Sequence, residues 1–204
     1  MALPPPRQGE LFGALDRQQG STPTARSTQL PEQLTITAAQ LRDWQHRIYC
    51  HQQPLLHQPQ PHRVQPLLFS ETEQDPLTGF DPLTLRALPL SFWRWPSSPH
   101  RGAAIYLVMD RPEHLETPIV LYVGETLAAD RRWKGEHDCK AYLAAYGEAL
   151  SCAGLTSTLS IRFWGDVPDS TRDRRRLEQR LIQTWQPPFN KETRARWATP
   201  FTTD

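Results

Sequence analysis

Glu178 is the residue of this chain whose position is hardest to explain without chemistry. On a helical wheel with Leu177 at zero, Leu181 falls at about 40°, Trp185 at about 80° and Ile182 at about 140°, and Glu178 at about 100° lies inside that apolar arc. A carboxylate facing a core needs a partner, because its ionised form is costly to remove from water. Two readings fit. One is an internal ion pair with Arg174, one turn earlier on the same face. The other is a metal ligand in a pocket beside a sheet.

Two tyrosines form the second constellation. Tyr106 and Tyr122 each lie within a short aliphatic run. If those runs pair as strands, both phenols can share one face of the sheet, although a buried tyrosine ordinarily just finds a hydrogen bond. Arg131-Arg132-Trp133 and His137 follow. A solvated helical face would look the same.

The elements that must position these residues are legible after Arg101. Ala103 to Met109 and Ile119 to Val123 read as strands of a hairpin whose long loop holds Pro112 and Pro118. Residues 128–134 and 138–151 suit two helices separated at Gly135. Leu159 to Trp164 is a third strand. Ser170 and Asp173 open a final helix that runs to about Trp185 and is stopped by Pro187-Pro188. The order predicts an α+β domain over 101–190, a small antiparallel three-stranded sheet flanked by helices. Residues 191–204 read as a C-terminal tail.

The first hundred residues are a different material. They hold fourteen of the twenty prolines and thirteen of the sixteen glutamines. Residues 1–34 lack core-forming side chains and read as a disordered tail, so this Pro/Gln-rich half is expected to be partly disordered. Within the extension 35–100 a helix is expected over about 37–52. Thr37 and Gln40 make a capping box, Leu41, Trp44 and Ile48 recur at helical spacing, and the helix should stop before Pro54. Asp75-Pro-Leu-Thr and Asp81-Pro-Leu-Thr read as turns. Trp93 and Trp95 alternate with arginine in what reads as an extended piece packing onto the domain. With Trp197 they are candidates for an interface between copies.

Charge leaves the partner open. The net charge is +1, with eight basic against eight acidic residues in 1–100 and twelve against twelve in 101–190. A general electrostatic nucleic-acid binder would show a basic surplus. The cations are nonetheless twenty arginines against three lysines, and arginine suits bidentate phosphate contacts. Cys50, Cys139 and Cys152 show no paired spacing, which excludes a disulfide scaffold or a cysteine-rich zinc site. No apolar run is long enough to span a bilayer, and Met-Ala-Leu-Pro-Pro-Pro does not read as a signal peptide. The expectation is a soluble cytoplasmic protein with no membrane partner, nucleoid-associated when acting.

As a set, these residues resemble the paired signature of the GIY-YIG nuclease superfamily. Ala104-Ile105-Tyr106 and Tyr122-Val123-Gly124 match its two tripeptides, and Arg132-Trp133 stands where the family places its arginine. Leu177-Glu178-Gln179-Arg180-Leu181-Ile182 and the closing Pro187-Pro188-Phe189-Asn190 complete the order, with a glutamate-to-asparagine interval of twelve that suits the excision-repair branch. The likeness covers about 103–190. Three positions depart: Ala104 replaces glycine, Val123 replaces isoleucine, and His137 lies five residues after Arg132 where many members have four. That last change is a rotation of about 100° on a helix, unless Gly135 breaks it.

The resemblance implies a phosphodiesterase acting on DNA with one Mg2+ or Mn2+ ion on Glu178. It implies that Arg132 neutralises charge on the phosphate, and that Tyr122, or else Tyr106, orients or deprotonates the attacking water. A phenol with an ordinary pKa of about 10 would need that value lowered to serve as a base. Asn190 is expected to hold the site together by hydrogen bonds, and His137 is a further candidate for a base or phosphate contact.

Gln8-Gly9-Glu10-Leu11-Phe12 resembles the short peptide by which bacterial replication and repair proteins dock on the sliding clamp, with Leu11 and Phe12 filling an apolar pocket while Gln8 fixes orientation. Coincidence in a Gln-rich segment would look the same. The expectation is a metal-dependent DNA endonuclease acting on branched or damaged DNA in repair or recombination. The alternatives are a restriction-type endonuclease and a non-catalytic DNA- or protein-binding module that kept the fold.

Overall fold

The computed structural model describes residues 36–56, 77, 80–134 and 138–201, all within one structural unit. His137 and the candidate docking residues Gln8, Leu11 and Phe12 lie outside the described residues.

The fold is α+β. Its antiparallel sheet has four strands, β1 (Leu88–Pro89), β2 (Ala104–Pro112), β3 (Ile119–Thr126) and β4 (Ser157–Trp164), in the order β1-β4-β2-β3. The strand beyond the expected three is two residues from the N-terminal extension, too short to show periodicity; Leu88 pairs with Ile161 and Pro89 with Ser160. Helices α1 (Ala38–Leu56), α2 (Ala129–Arg132), α3 (Asp138–Cys152), α4 (Thr171–Trp185) and α5 (Arg194–Trp197) surround it.

Strand β2 is central, and its two-residue alternation divides the core. Tyr106 and Val108 face a cluster that takes Leu41, Trp44 and Ile48 from α1 and Tyr146 from α3. Ile105, Leu107 and Met109 face the opposite way, onto Leu177, Leu181, Ile182 and Trp185 of α4. Burial on both faces explains why β2 reads as a continuous apolar run.

Helix α1 opens as expected, with Thr37 N–H on Gln40 Oε1 at 2.9 Å and Gln40 N–H on Thr37 Oγ1 at 3.3 Å. It does not stop before Pro54 but runs to Leu56. Contacts beyond the helix outweigh the one backbone bond that proline removes. Gln52 donates to the carbonyls of Val120 (3.0 Å) and Trp185 (2.9 Å) and accepts from Val120 N–H (2.7 Å). Leu55 and Leu56 pack against the α4 side of the core.

The segment 80–95 is docked rather than extended. Asp81 caps a 3-10 turn over Pro82–Thr84, and Arg162 Nη1 donates to the carbonyls of Pro82, Leu83 and Leu85 at 2.8–3.1 Å. Phe92–Arg94 forms a second 3-10 turn. That turn buries Phe92 and leaves Trp93 and Trp95 exposed, which corrects the reading of a packed extended pair. The last residues are no loose tail up to Phe201, because Thr193, Trp197, Thr199 and Phe201 are buried. Burial also removes Trp197 from the interface candidates.

Gln52→Leu leaves the Val120 N–H and two carbonyls without partners beneath α1. A loss of about 2–3 kcal/mol is expected, seen as a lower urea midpoint at unchanged slope.

Candidate active site

The hairpin register builds the first wall of the site. Tyr106 lies opposite Gly124 and Tyr122 opposite Val108, so the two phenols are diagonal neighbours on one face. Their rings stand 5.9 Å apart at 27°. Gly124 is needed for space: a Cβ there would lie 2.5 Å from Cζ and Oη of Tyr106 and 2.8 Å from Cε1 of Tyr122.

Arg132 reaches this pair from α2, whose start is tied to the sheet by Ala129 N–H on the Gly102 carbonyl at 3.0 Å. Its Nε donates to the Tyr106 hydroxyl at 3.3 Å. Trp133, next in sequence, is buried with its ring edge-on to Tyr106 at 6.0 Å.

Burial pushes the Tyr106 phenol above its ordinary pKa, and the hydrogen bonds from Arg132 and Tyr122 only partly oppose it. Tyr122 is pushed up further, first by burial and then by the neighbouring Tyr106. Both phenols are therefore neutral at physiological pH in the protein by itself.

Glu178 comes from α4, and its partner is not the expected one. Arg174 is wholly buried and turns to Glu125 (Nε to Oε2, 3.0 Å), while its Nη1 donates to the carbonyls of Pro168 and Asp169. Glu178 Oε1 instead accepts the backbone N–H of Glu125 at 2.9 Å. Strand β3 is the outermost strand, so this N–H has no strand to donate to. Burial, followed by the charges of Glu125 and Glu192 against the opposing Glu125 N–H and Arg175, raises the Glu178 carboxyl to about 7.

Asn190 braces strand β3. Buried after the Pro187-Pro188 stop, it accepts Val123 N–H at 2.9 Å and donates to Val123 C=O at 2.8 Å. Asn190, Tyr122 and Glu178 line one cleft of about 240 Å³. The structure thus gathers Tyr106, Tyr122, Arg132, Glu178 and Asn190 at one end of the β2–β3 hairpin.

Three contributors escaped the sequence reading. Glu125 joins Arg174, Arg175 and Glu178 through its side chain and backbone, yet its position one residue past the signature glycine carries no distinctive pattern. Lys191 and Arg194, assigned to a tail, line the cleft, and the Arg194 guanidinium lies 5.0 Å from the centre of the Tyr142 ring.

The cleft offers a cation the carboxylates of Glu178 and Glu192. Glu178 lines an open cleft, its ionised form is penalised by burial and by two carboxylates, and a cation offsets both. Among the described residues no three His, Cys, Asp or Glu side chains gather round one point, so any hold on a cation here rests on Glu178 with Glu192 at most beside it. In comparisons with known proteins, no family model, no curated protein and no solved structure matches the chain.

Two outcomes test this geometry. The folded pKa of Glu178, about 7, lies above its ordinary 4.5. The folded state therefore holds a proton that the unfolded chain has released, and Glu178 favours folding below pH 4.5, an advantage lost as pH rises through 7. Melting curves of the parent should fall across that window more than those of Glu178→Gln. Millimolar magnesium above pH 7 should raise the parent's Tm and leave the variant's unchanged. Gly124→Ala should cost about 1–3 kcal/mol by crowding the two rings, read from the same melts.

Proposed function

We propose that this protein is a metal-dependent phosphodiesterase that cuts DNA, with structured repair or recombination intermediates as its substrates. The observation that carries the reading is that Tyr122 and Glu178, from separate elements, line one cleft, while Tyr106 joins Tyr122 to Arg132.

Hydrolysis adds water across a phosphorus–oxygen bond, and negative charge builds on the phosphate oxygens as it does so. A magnesium or manganese ion held by Glu178 would polarise the scissile phosphate and stabilise the leaving oxygen. Arg132 carries a permanent charge, and its hydrogen bond to Tyr106 turns the guanidinium toward the tyrosine pair, where it would meet the phosphate. Tyr122, held neutral by its burial, orients by donating its proton in a hydrogen bond. Asn190 fixes the strand on which Tyr122 and Gly124 sit. Lys191 and Arg194 line the cleft on either side of Glu192 and would meet the flanking backbone once a cation offsets the two glutamates.

The test is a cleavage assay on labelled single strand, duplex, flap and four-way junction, with magnesium, with manganese and with chelator. Glu178→Ala should abolish metal-dependent cutting while binding persists. Arg132→Ala should slow cutting by about 10²–10³. Cutting by Glu178→Ala at the parent's rate would sink the assignment, and binding without cutting on every substrate would favour the non-catalytic module.

A further inference from the structure

We infer that Trp93 and Trp95 form a stacking site for an unpaired nucleobase beside the cleavage site, which selects DNA carrying a single-stranded segment. This rests on the nuclease reading and names the substrate feature recognised there.

Among the described residues three large apolar side chains are exposed, and two of them are Trp93 at 37 % and Trp95 at 40 %. Both line a cavity of about 200 Å³ with Phe92, Arg101, Asp130 and Lys134. Among the described residues they are the only exposed Phe, Tyr or Trp side chains, and two accessible indoles so close in sequence are costly surface.

The charge around them identifies the occupant. The Arg94 guanidinium lies 4.9 Å from the Trp93 ring centre and the Lys140 ammonium 5.9 Å from it. Arg101 and Lys134 add two more cations. The acid in the cavity wall, Asp130, has Arg131 at 3.9 Å. Aromatic faces surrounded by cations suit a polyanion that also presents flat rings, which is a nucleic acid strand with its bases unpaired; duplex DNA keeps those faces stacked.

The cavity is tied to the proposed catalytic group. Asp130 and Lys134 bracket Arg132, and Trp133 stands between the two sites, 6.0 Å from Tyr106 and 5.9 Å from the same Lys140 ammonium that lies near Trp93. A base on Trp93 or Trp95 would therefore sit a short stretch of backbone from the phosphate that Arg132 meets.

The experiment measures binding of the full chain, in chelator, to a labelled oligothymidine and to an abasic strand of equal length. The parent should bind the strand with bases about tenfold tighter, since aromatic stacking contributes that order per base. Trp93→Ala with Trp95→Ala should erase the difference at unchanged Tm, and the corresponding pair of Phe substitutions should retain it. Equal binding of both strands by the parent, or a base preference that survives the double Ala variant, overturns the inference. So does a halved sedimentation mass in the double variant, which would make the pair an interface between copies. Because no cutting is involved, a protein that prefers bases but never cleaves would refute the nuclease reading alone.

Discussion

The unpaired edge of β3 is the constraint on which the rest of the molecule depends. An outermost strand presents N–H and C=O groups that must be paired, covered or left to invite another chain. Here side chains and one loop amide occupy the edge in succession. Gln52 takes both groups of Val120, Phe189 N–H takes the Leu121 carbonyl, Asn190 takes both groups of Val123, and Glu178 takes Glu125 N–H. A register shift between Val108 and Met109 leaves Leu121 without a β2 partner, and its carbonyl receives Phe189. The edge thereby fastens α1, α4 and the turn after α4 to one strand. Replacing any of these side chains with an apolar one would strand a backbone group as well as remove a contact.

That arrangement also explains how a carboxylate comes to lie in an apolar arc. Glu178 is both an edge cap and a cleft-lining group, and the first role fixes the second. Its Oε1 is aimed by the Glu125 amide, and Tyr122 sits three residues back along the same strand. The arginine that could neutralise it, Arg174, is committed to Glu125 and to two loop carbonyls. Glu125 thus acts twice, offering its amide to Glu178 while its own carboxylate takes Arg174 and Arg175. Burial, with the charges of Glu125 and Glu192 behind it, holds the carboxyl at about 7 against the pull of that amide.

How much of this was legible follows from the range of the interactions. The wheel positions of Glu178, the alternation in the hairpin and the caps at Thr37 and Ser170 are local patterns, and each is found where the residues placed it. The diagonal meeting of Tyr106 and Tyr122 follows from strand pairing alone. Long-range polar contacts were hidden. Gln52 is one glutamine in a glutamine-rich half, and nothing nearby marks it as the residue that carries α1 past Pro54. Arg174 and Glu178 lie one turn apart and looked paired, but the competing acid comes from a strand far back in the chain. The two-residue strand at Leu88 is below the length at which periodicity exists.

The neutral charge of the chain is resolved by where its acids are. Glu125 is taken by Arg174 and Arg175, Asp110 accepts the Tyr146 hydroxyl in the core, and Asp43 and Asp173 pair along their own helices. Screening limits the reach of a surface charge to about 8 Å at physiological salt. A phosphate at either open site therefore responds to the side chains lining it and hardly to the total. Lys191 and Arg194 stand at the cleft with Glu178 and Glu192, and Arg101 and Lys134 at the tryptophan cavity with Asp130. With so few cations at each site, contact with the backbone is local and the counterions released are few. If the chain is the nuclease proposed above, discrimination then comes from shape, stacking and the reacting centre, the balance expected of a protein that finds a structural feature in DNA rather than coating it.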